Sequence, residues 1–401
     1  MLAIPWYFTS VINQSETFGI IYAATTIVTL FWGLYAGTLI DRYSRKTIFL
    51  SLCVVSFLML NCVAFIGFKT GEVPMLLIAL VFCFTIFNYN MHYPTLYAFG
   101  QEISERENYG KVNSQIEIVG QITSIVSGVF AALLLTGVNS EFLNTFGIVN
   151  SDFQIKPWKL YEIFFLDGIT YSVAFILILF IKYKPIKYNE IDKSSVWNRF
   201  SQGFSYLKLH PMLFQFGVAS LAIFVILLIH VHQLMPIYVN NHLHSGSSTY
   251  ALAEMIYAFG ALLAGAGIRW IFRNQNTVFA VIILMILGSA CFGLLFFTKS
   301  LLILMLVSFI LGISNAGARI LRITYLFNHV PNHIMGRTGS VFNTVNTFLR
   351  FVFVGIFSIP FFHHGNNIIW TYLIGAIFIL FSILPLLFYY KKLTQLKPTD
   401  E

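Results

Sequence analysis

The chain has 401 residues, 57% hydrophobic and 10% charged, with a net charge of +8. Soluble domains carry roughly a quarter charged residues, so this sequence lacks the charge to coat a water-facing surface, and a soluble domain is excluded. No basic cluster sits on a soluble segment, so the positive excess argues for topology rather than for nucleic acid. Cys53, Cys62, Cys83 and Cys291 all fall in apolar runs and read as small buried hydrophobes, with neither a disulfide nor a metal site indicated.

Taken in chain order, Met1–Ile12 is apolar, but twelve helical residues rise only about 18 Å, short of the ~30 Å hydrocarbon core. It lacks the basic start and small-residue cleavage site of a signal peptide. It is expected to be the outer end of a first helix whose beginning is absent, through truncation or a late start codon. Three spans without formal charge follow: Phe18–Ile40, Thr47–Phe68 and Val73–Tyr97. Val112–Thr136 then holds Glu117, and Ile163–Ile181 holds Asp167. Residues 182–210 form the longest charged interruption and read as a cytoplasmic linker. Within it, Trp197–Leu209 has the helical spacing of a segment lying along a membrane surface. Leu213–Val239 carries His230 and His232, Ala251–Ile268 holds Glu254, and Asn274–Thr298 is uncharged. Leu301–Phe327 ends with Arg319 and Arg322, Thr338–Phe361 holds Arg350, and Ile368–Tyr390 closes the series.

Eleven full spans and a partial first one imply an N-terminal bundle at 1–181 and a C-terminal bundle at 211–401, joined by the linker. With the Asp41–Lys46 loop cytoplasmic, nearly all of the 24 Lys and Arg fall on that side, leaving Lys69, Lys156, Lys159 and Lys299 opposite and Arg350 within a span. The positive-inside rule demands such asymmetry. It places the C-terminus, and the N-terminus of a full-length form, in the cytoplasm. A faint internal repeat supports the division: Gly37, Asp41 and Arg45 fall on Gly265, Arg269 and Arg273 at an offset of 228.

The densest local signal is Gly33-Leu-Tyr-Ala-Gly37-Thr-Leu-Ile-Asp41-Arg42-Tyr-Ser44-Arg45-Lys46. Glycines allow close helix approach, and the charges crowd a short loop. On composition alone this is equally an ordinary helix end with snorkelling cations. Its spacing resembles the G-x-x-x-D-R-x-x-R-K signature between helices two and three of the major facilitator superfamily. The resemblance implies an all-α major facilitator fold with a cytoplasmic latch between two halves, carried here by Gly37, Asp41, Arg42, Arg45 and Lys46. Within the superfamily, Phe164–Tyr171, Gln202–Pro211 and Val330–Arg337 are similar to the enterobactin-exporter and macrolide-efflux branch.

Charges inside a span are costly and commonly face a cavity or a partner. Arg350 lies twelve residues past Thr338, near mid-bilayer, with Asn343 and Asn346 before it on the same face. The stripe suits an anionic or hydrogen-bonding substrate, or else Arg350 pairs with a carboxylate on another helix. Glu117 is a candidate proton carrier, or an interfacial carboxylate satisfied by Lys111 or water. Asp167, Glu254, Arg319 and Arg322 sit near span ends, where interfacial roles are expected. His230 and His232 project to different helix faces and cannot chelate together. No phosphate loop or catalytic constellation occurs, so neither an enzyme, a cofactor nor direct ATP drive is expected.

Together these readings give a monomeric, multi-pass protein of a bacterial inner membrane. It would export a drug- or siderophore-like small molecule by alternating access, with protons as a candidate coupling ion. A lysophospholipid-type flippase on the same fold and a non-transporting relative are the alternatives.

Overall fold

The computed structural model describes residues 3–104, 109–137, 156–183 and 196–397. α1 (Ala3–Trp6) runs into a π-helical turn (Tyr7–Val11) and is followed by α2 (Ser15–Arg42), α3 (Arg45–Thr70), α4 (Met75–Glu102), α5 (Tyr109–Thr136) and α6 (Leu160–Phe180). A shorter α7 (Val196–Leu209) leads to α8 (Pro211–His242), α9 (Ser247–Ile271) and α10 (Thr277–Phe297). The series ends with α11 (Leu301–His329), α12 (Asn332–Phe357), α13 (Ile369–Phe388) and the short α14 (Tyr390–Thr394). Among the described residues nine helices are long and apolar enough to cross a membrane: α3, α4, α6 and α8–α13. The 28-residue helices α2 and α5 accompany them. Phe180, Phe297 and Phe388 are each at least 80% exposed, which suits acyl chains and not water. Cys53 and Cys291 are buried within the protein, but Cys62 is exposed, because an apolar run facing lipid needs no protein cover.

Local chemistry sets the helix ends. Ser44 caps α3 by accepting the Thr47 N–H at 3.2 Å, and Asn276 caps α10 through the Val278 N–H at 2.9 Å. Gly71, at φ 82°, ends α3 in a left-handed conformation that favours glycine. α4 continues five residues beyond the expected Tyr97, since backbone hydrogen bonding outlasts the apolar run. α12 stops at Phe357 instead of Phe361: Pro360 has no N–H to continue the ladder, and the chain turns into a 3₁₀ segment, Pro360–His363. In α8, π-helical turns at His230–Leu234 and Tyr238–His242 flank Pro236, the usual response to a missing donor.

The helices pack in recurring pairs. α3 packs on α6 as α10 packs on α13, α2 on α4 as α9 on α11, and α3 on α4 as α10 on α11. Two further pairs cross between the sets, α2 on α12 and α9 on α5. Exchanging α2–α6 for α9–α13 reproduces every one of these pairings, the pattern of a two-fold internal repeat. The α9–α11 crossing is glycine-lined. A Cβ at Gly312 would lie 2.1 Å from the Tyr257 carbonyl oxygen, and one at Gly260 would lie 2.2 Å from that of Phe309. α7 lies against α12, with Trp197 and Leu209 exposed along it.

Candidate functional site

The loop between α2 and α3 defines one end of the molecule, called the basic end; the opposite one is the far end. Gly37 lies within α2, while the side chains of Asp41 and Arg42 lie outside the described residues, as does that of Glu117. Arg45 is buried and ion-paired with Glu102 at the close of α4, 3.2 Å away. The Tyr183 hydroxyl also donates to Glu102. Burial and that carboxylate push Tyr183 up to about 12, which keeps it a donor at neutral pH. Lys46 Nζ donates to the carbonyls of Leu179 (3.0 Å) and Ile181 (2.8 Å), placing a cation at the negative end of the α6 dipole. The described half of the motif therefore fastens α3 to α4 and α6.

Asn343, Asn346 and Arg350 share the face of α12 that meets α2. Asn343 is exposed opposite Gly33, 3.9 Å from where a Cβ there would sit. Asn346 is 5% exposed, and its Oδ1 has no hydrogen-bond partner. Arg350 faces the Tyr22 hydroxyl of α2 and the ring of His232 on α8, so it points into protein and away from acyl chains. Its Nε is buried without a hydrogen-bond partner, and among the described residues no carboxylate forms a salt bridge with it. Because α12 begins six residues before Thr338, Arg350 sits about 27 Å from the basic-end start of the helix, well past its middle.

Two further layers lie above Arg350 toward the far end. In the first, Gln233 Nε2 donates to Ser358 Oγ at 3.1 Å. Gly19 lets α2 close on this pair, since a Cβ there would lie 2.2 Å from Ser358 Oγ. In the second, His363 Nε2 donates to the Phe357 carbonyl at 2.9 Å and Nδ1 accepts from Ser15 Oγ at 2.8 Å; a carbonyl can only accept, which fixes these roles. An exposed Glu16–His364 pair, 3.7 Å apart, flanks them. A polar pocket of ≈ 670 Å³ opens here, lined by Glu16, Asn240, Asn241, His244, His363 and His364. A second cleft of ≈ 560 Å³ runs between α4 and α5, lined in part by His92, Tyr93, Gln115, Thr123 and Ser124.

The π-turn of α8 sends His230 to the Tyr372 hydroxyl of α13 (3.1 Å) and His232 toward α2, so the two rings part as their spacing implies. Among the described residues no group of three or more His, Cys, Asp or Glu is placed to hold a metal ion. Arg322 is buried and donates to the Ser220 carbonyl at 3.1 Å. Glu254 and Arg319 lie about Tyr257, whose hydroxyl accepts from Asn315 at 2.9 Å. These groups belong to helix packing deeper than the interface. Tyr22, Gln233, Ser358 and Glu102 carried no signal of their own in the sequence: the first three are neutral, and the last lies beyond its apolar run.

A family model described as Major Facilitator Superfamily matches residues 1–354. No curated protein matches the chain. Among solved structures, a bacterial homologue of the human lysosomal transporter Spinster, inward-facing and unoccupied, is similar with a TM-score of 0.65 at 12% identity, over 100% of this chain and 95% of the other. A D-xylose–proton symporter is similar with a TM-score of 0.68 at 12% identity, over 93% and 87%. A nucleoside transporter gives 0.64 at 12% identity, over 98% and 94%.

Proposed function

This chain belongs to the major facilitator superfamily, a family of multi-pass membrane transporters and not of enzymes, and from that premise we propose that it is a secondary active exporter of a drug- or siderophore-like small molecule. Residues 1–181 and 211–401 form the two bundles, 182–210 link them, and the substrate crosses where α2 meets α12 and α9 meets α5. The basic end is cytoplasmic by the positive-inside rule, in a bacterial inner membrane, and protons are the candidate coupling ion, with Glu117 a candidate carrier. Rocking of one bundle against the other opens each end in turn.

The observation that carries this reading is Arg350. A guanidinium within a span costs ~2.5–3.5 kcal/mol on insertion scales, and no carboxylate of the described residues offsets it. Such a group is retained where a ligand or water meets it. Asn343 and Asn346 extend the polar face toward the cytoplasm, and the far-end layers supply a closed gate above it.

Alternation is tested without a known substrate. In a background lacking the four native cysteines, Glu16→Cys with His364→Cys cross-links the far end in the closed state. Trapping is expected to protect a cysteine introduced beside Arg350 from reagents added outside, and reduction to restore labelling. Equal labelling in both states counts against alternating access. Export is tested by retention of labelled drugs and siderophores in expressing cells. Arg350→Ala is expected to abolish efflux, and unchanged efflux removes Arg350 from the path.

A further inference from the structure

We propose that the cargo is an organic anion with an aromatic or apolar body, and that its anionic group displaces Tyr22 from Arg350 and so loosens the far-end gate. This rests on the reading of the α2–α12 interface as the transport path. Arg350 offers five N–H donors. Its neighbours supply few acceptors: the Tyr22 hydroxyl, Asn346 Oδ1 one turn away and itself unpaired, and on His232 only Nε2, because Nδ1 is 2.8 Å from the Leu228 carbonyl and must donate to it. The Nε donor stays unmet. A carboxylate or sulfonate, with two or more oxygens in a plane or fork, matches that surplus, whereas a neutral amide or an ammonium does not.

The surroundings say what the rest of the molecule looks like. Tyr22 packs edge-on to Phe82 at 5.6 Å and alongside Phe18 at 6.1 Å, all three buried, so the surface bared beside the guanidinium when Tyr22 moves is aromatic. A cationic cargo would meet repulsion from the Arg350 guanidinium.

Position links binding to movement. Tyr22 is one turn below Gly19 and two turns below Ser15 on α2, and Arg350 lies below Ser358 on α12, so the Tyr22–Arg350 contact continues the layers that hold the far end shut. A ligand anion that takes the guanidinium removes that bridge and favours the open form by its differential affinity.

The probes are 1-naphthoate, 1-naphthamide and 1-naphthylmethylamine, which share one body and differ in charge. Binding is measured as a ligand-dependent rise in the thermal unfolding midpoint of the full chain in lipid nanodiscs. Naphthoate is expected to stabilise saturably and the other two not. Arg350→Gln is expected to weaken naphthoate by at least about tenfold, the effect of one lost charge-assisted contact. Tyr22→Phe, which keeps the ring and removes the competing hydroxyl, is expected to tighten it. Equal stabilisation by naphthamide, an unaffected Arg350→Gln, or unchanged or weaker binding by Tyr22→Phe overturns the proposal. The cross-linking experiment fails or succeeds independently: alternation without naphthoate binding sinks only the anion, and naphthoate binding without alternation sinks only the transport cycle.

Discussion

Glu102 ends α4 with its carboxylate against Arg45, and both side chains are nearly sealed from solvent, at 5% and 8% exposure. Removing one partner from such a pair leaves an uncompensated buried charge, worth about 3 kcal/mol, whereas replacing both with apolar groups is close to neutral. Glu102→Gln is therefore expected to lower the thermal unfolding midpoint sharply, and Arg45→Met with Glu102→Leu to restore most of it. A double variant as unstable as the single one would show that the pair is not the source of the loss. The charged residues here, Arg45 and Lys46 as well as Arg350, stand out in the sequence because charge inside or beside an apolar run is rare. Their partners do not. Tyr22, Gln233 and Ser358 are neutral, and the carbonyls that receive Lys46 belong to every residue alike. What a residue contributes is thus readable from one chain segment only when it breaks a pattern, and the groups that answer it come from helices far away in sequence.

At the scale of helices, the runs of about 20 apolar residues that lipid requires locate most elements, and the ends are set by signals of another kind. Pro360 stops α12, Ser44 starts α3, and α4 outlasts its apolar run because the helix leaves the membrane before it ends. The amphipathic spacing of Trp197–Leu209 is matched by α7, whose docking on α12 no periodicity announces. Close contacts depend on single glycines. At the α9–α11 crossing a methyl group on Gly312 meets a backbone carbonyl at 2.1 Å, and no side-chain rotation relieves it. Gly312→Ala is expected to push the helices apart and destabilise by about 1–3 kcal/mol, as overpacking does, seen as a lower unfolding midpoint. Gly293→Ala in α10, where a Cβ meets nothing within 4 Å, is the control that should leave the midpoint unmoved. A Gly312→Ala protein as stable as that control would mean the crossing is loose.

For the whole molecule, the α2–α12 contact is the feature that pattern reading reaches least, since each helix alone shows only which of its faces is polar. The contact gathers its layers from α2, α8 and α12, and the outermost has a titratable group within it. His363 lies beyond the membrane-spanning part of α12 and is buried. Burial pushes its imidazole pKa below the ordinary 6.5, a shift that the Phe357 carbonyl and Glu16 oppose and His364 assists. Opening the far end exposes the ring and lets its affinity for protons recover. The closed form thus binds fewer protons than the open one, and linkage fixes the sign: above the ordinary histidine value both forms are neutral and pH has no effect, while below it acid favours opening until the lowered value is passed. Spin labels at Thr17 and Asn367 are expected to report a growing population at longer distance as pH falls from about 8 to about 5. His363→Gln, which keeps a hydrogen-bonding side chain but cannot titrate, should hold the short distance throughout that range. The other titratable groups beside this layer, Glu16, His242, His244 and His364, are intact in the variant, so a pH response that persists in His363→Gln would move the sensor to them and remove it from the buried ring.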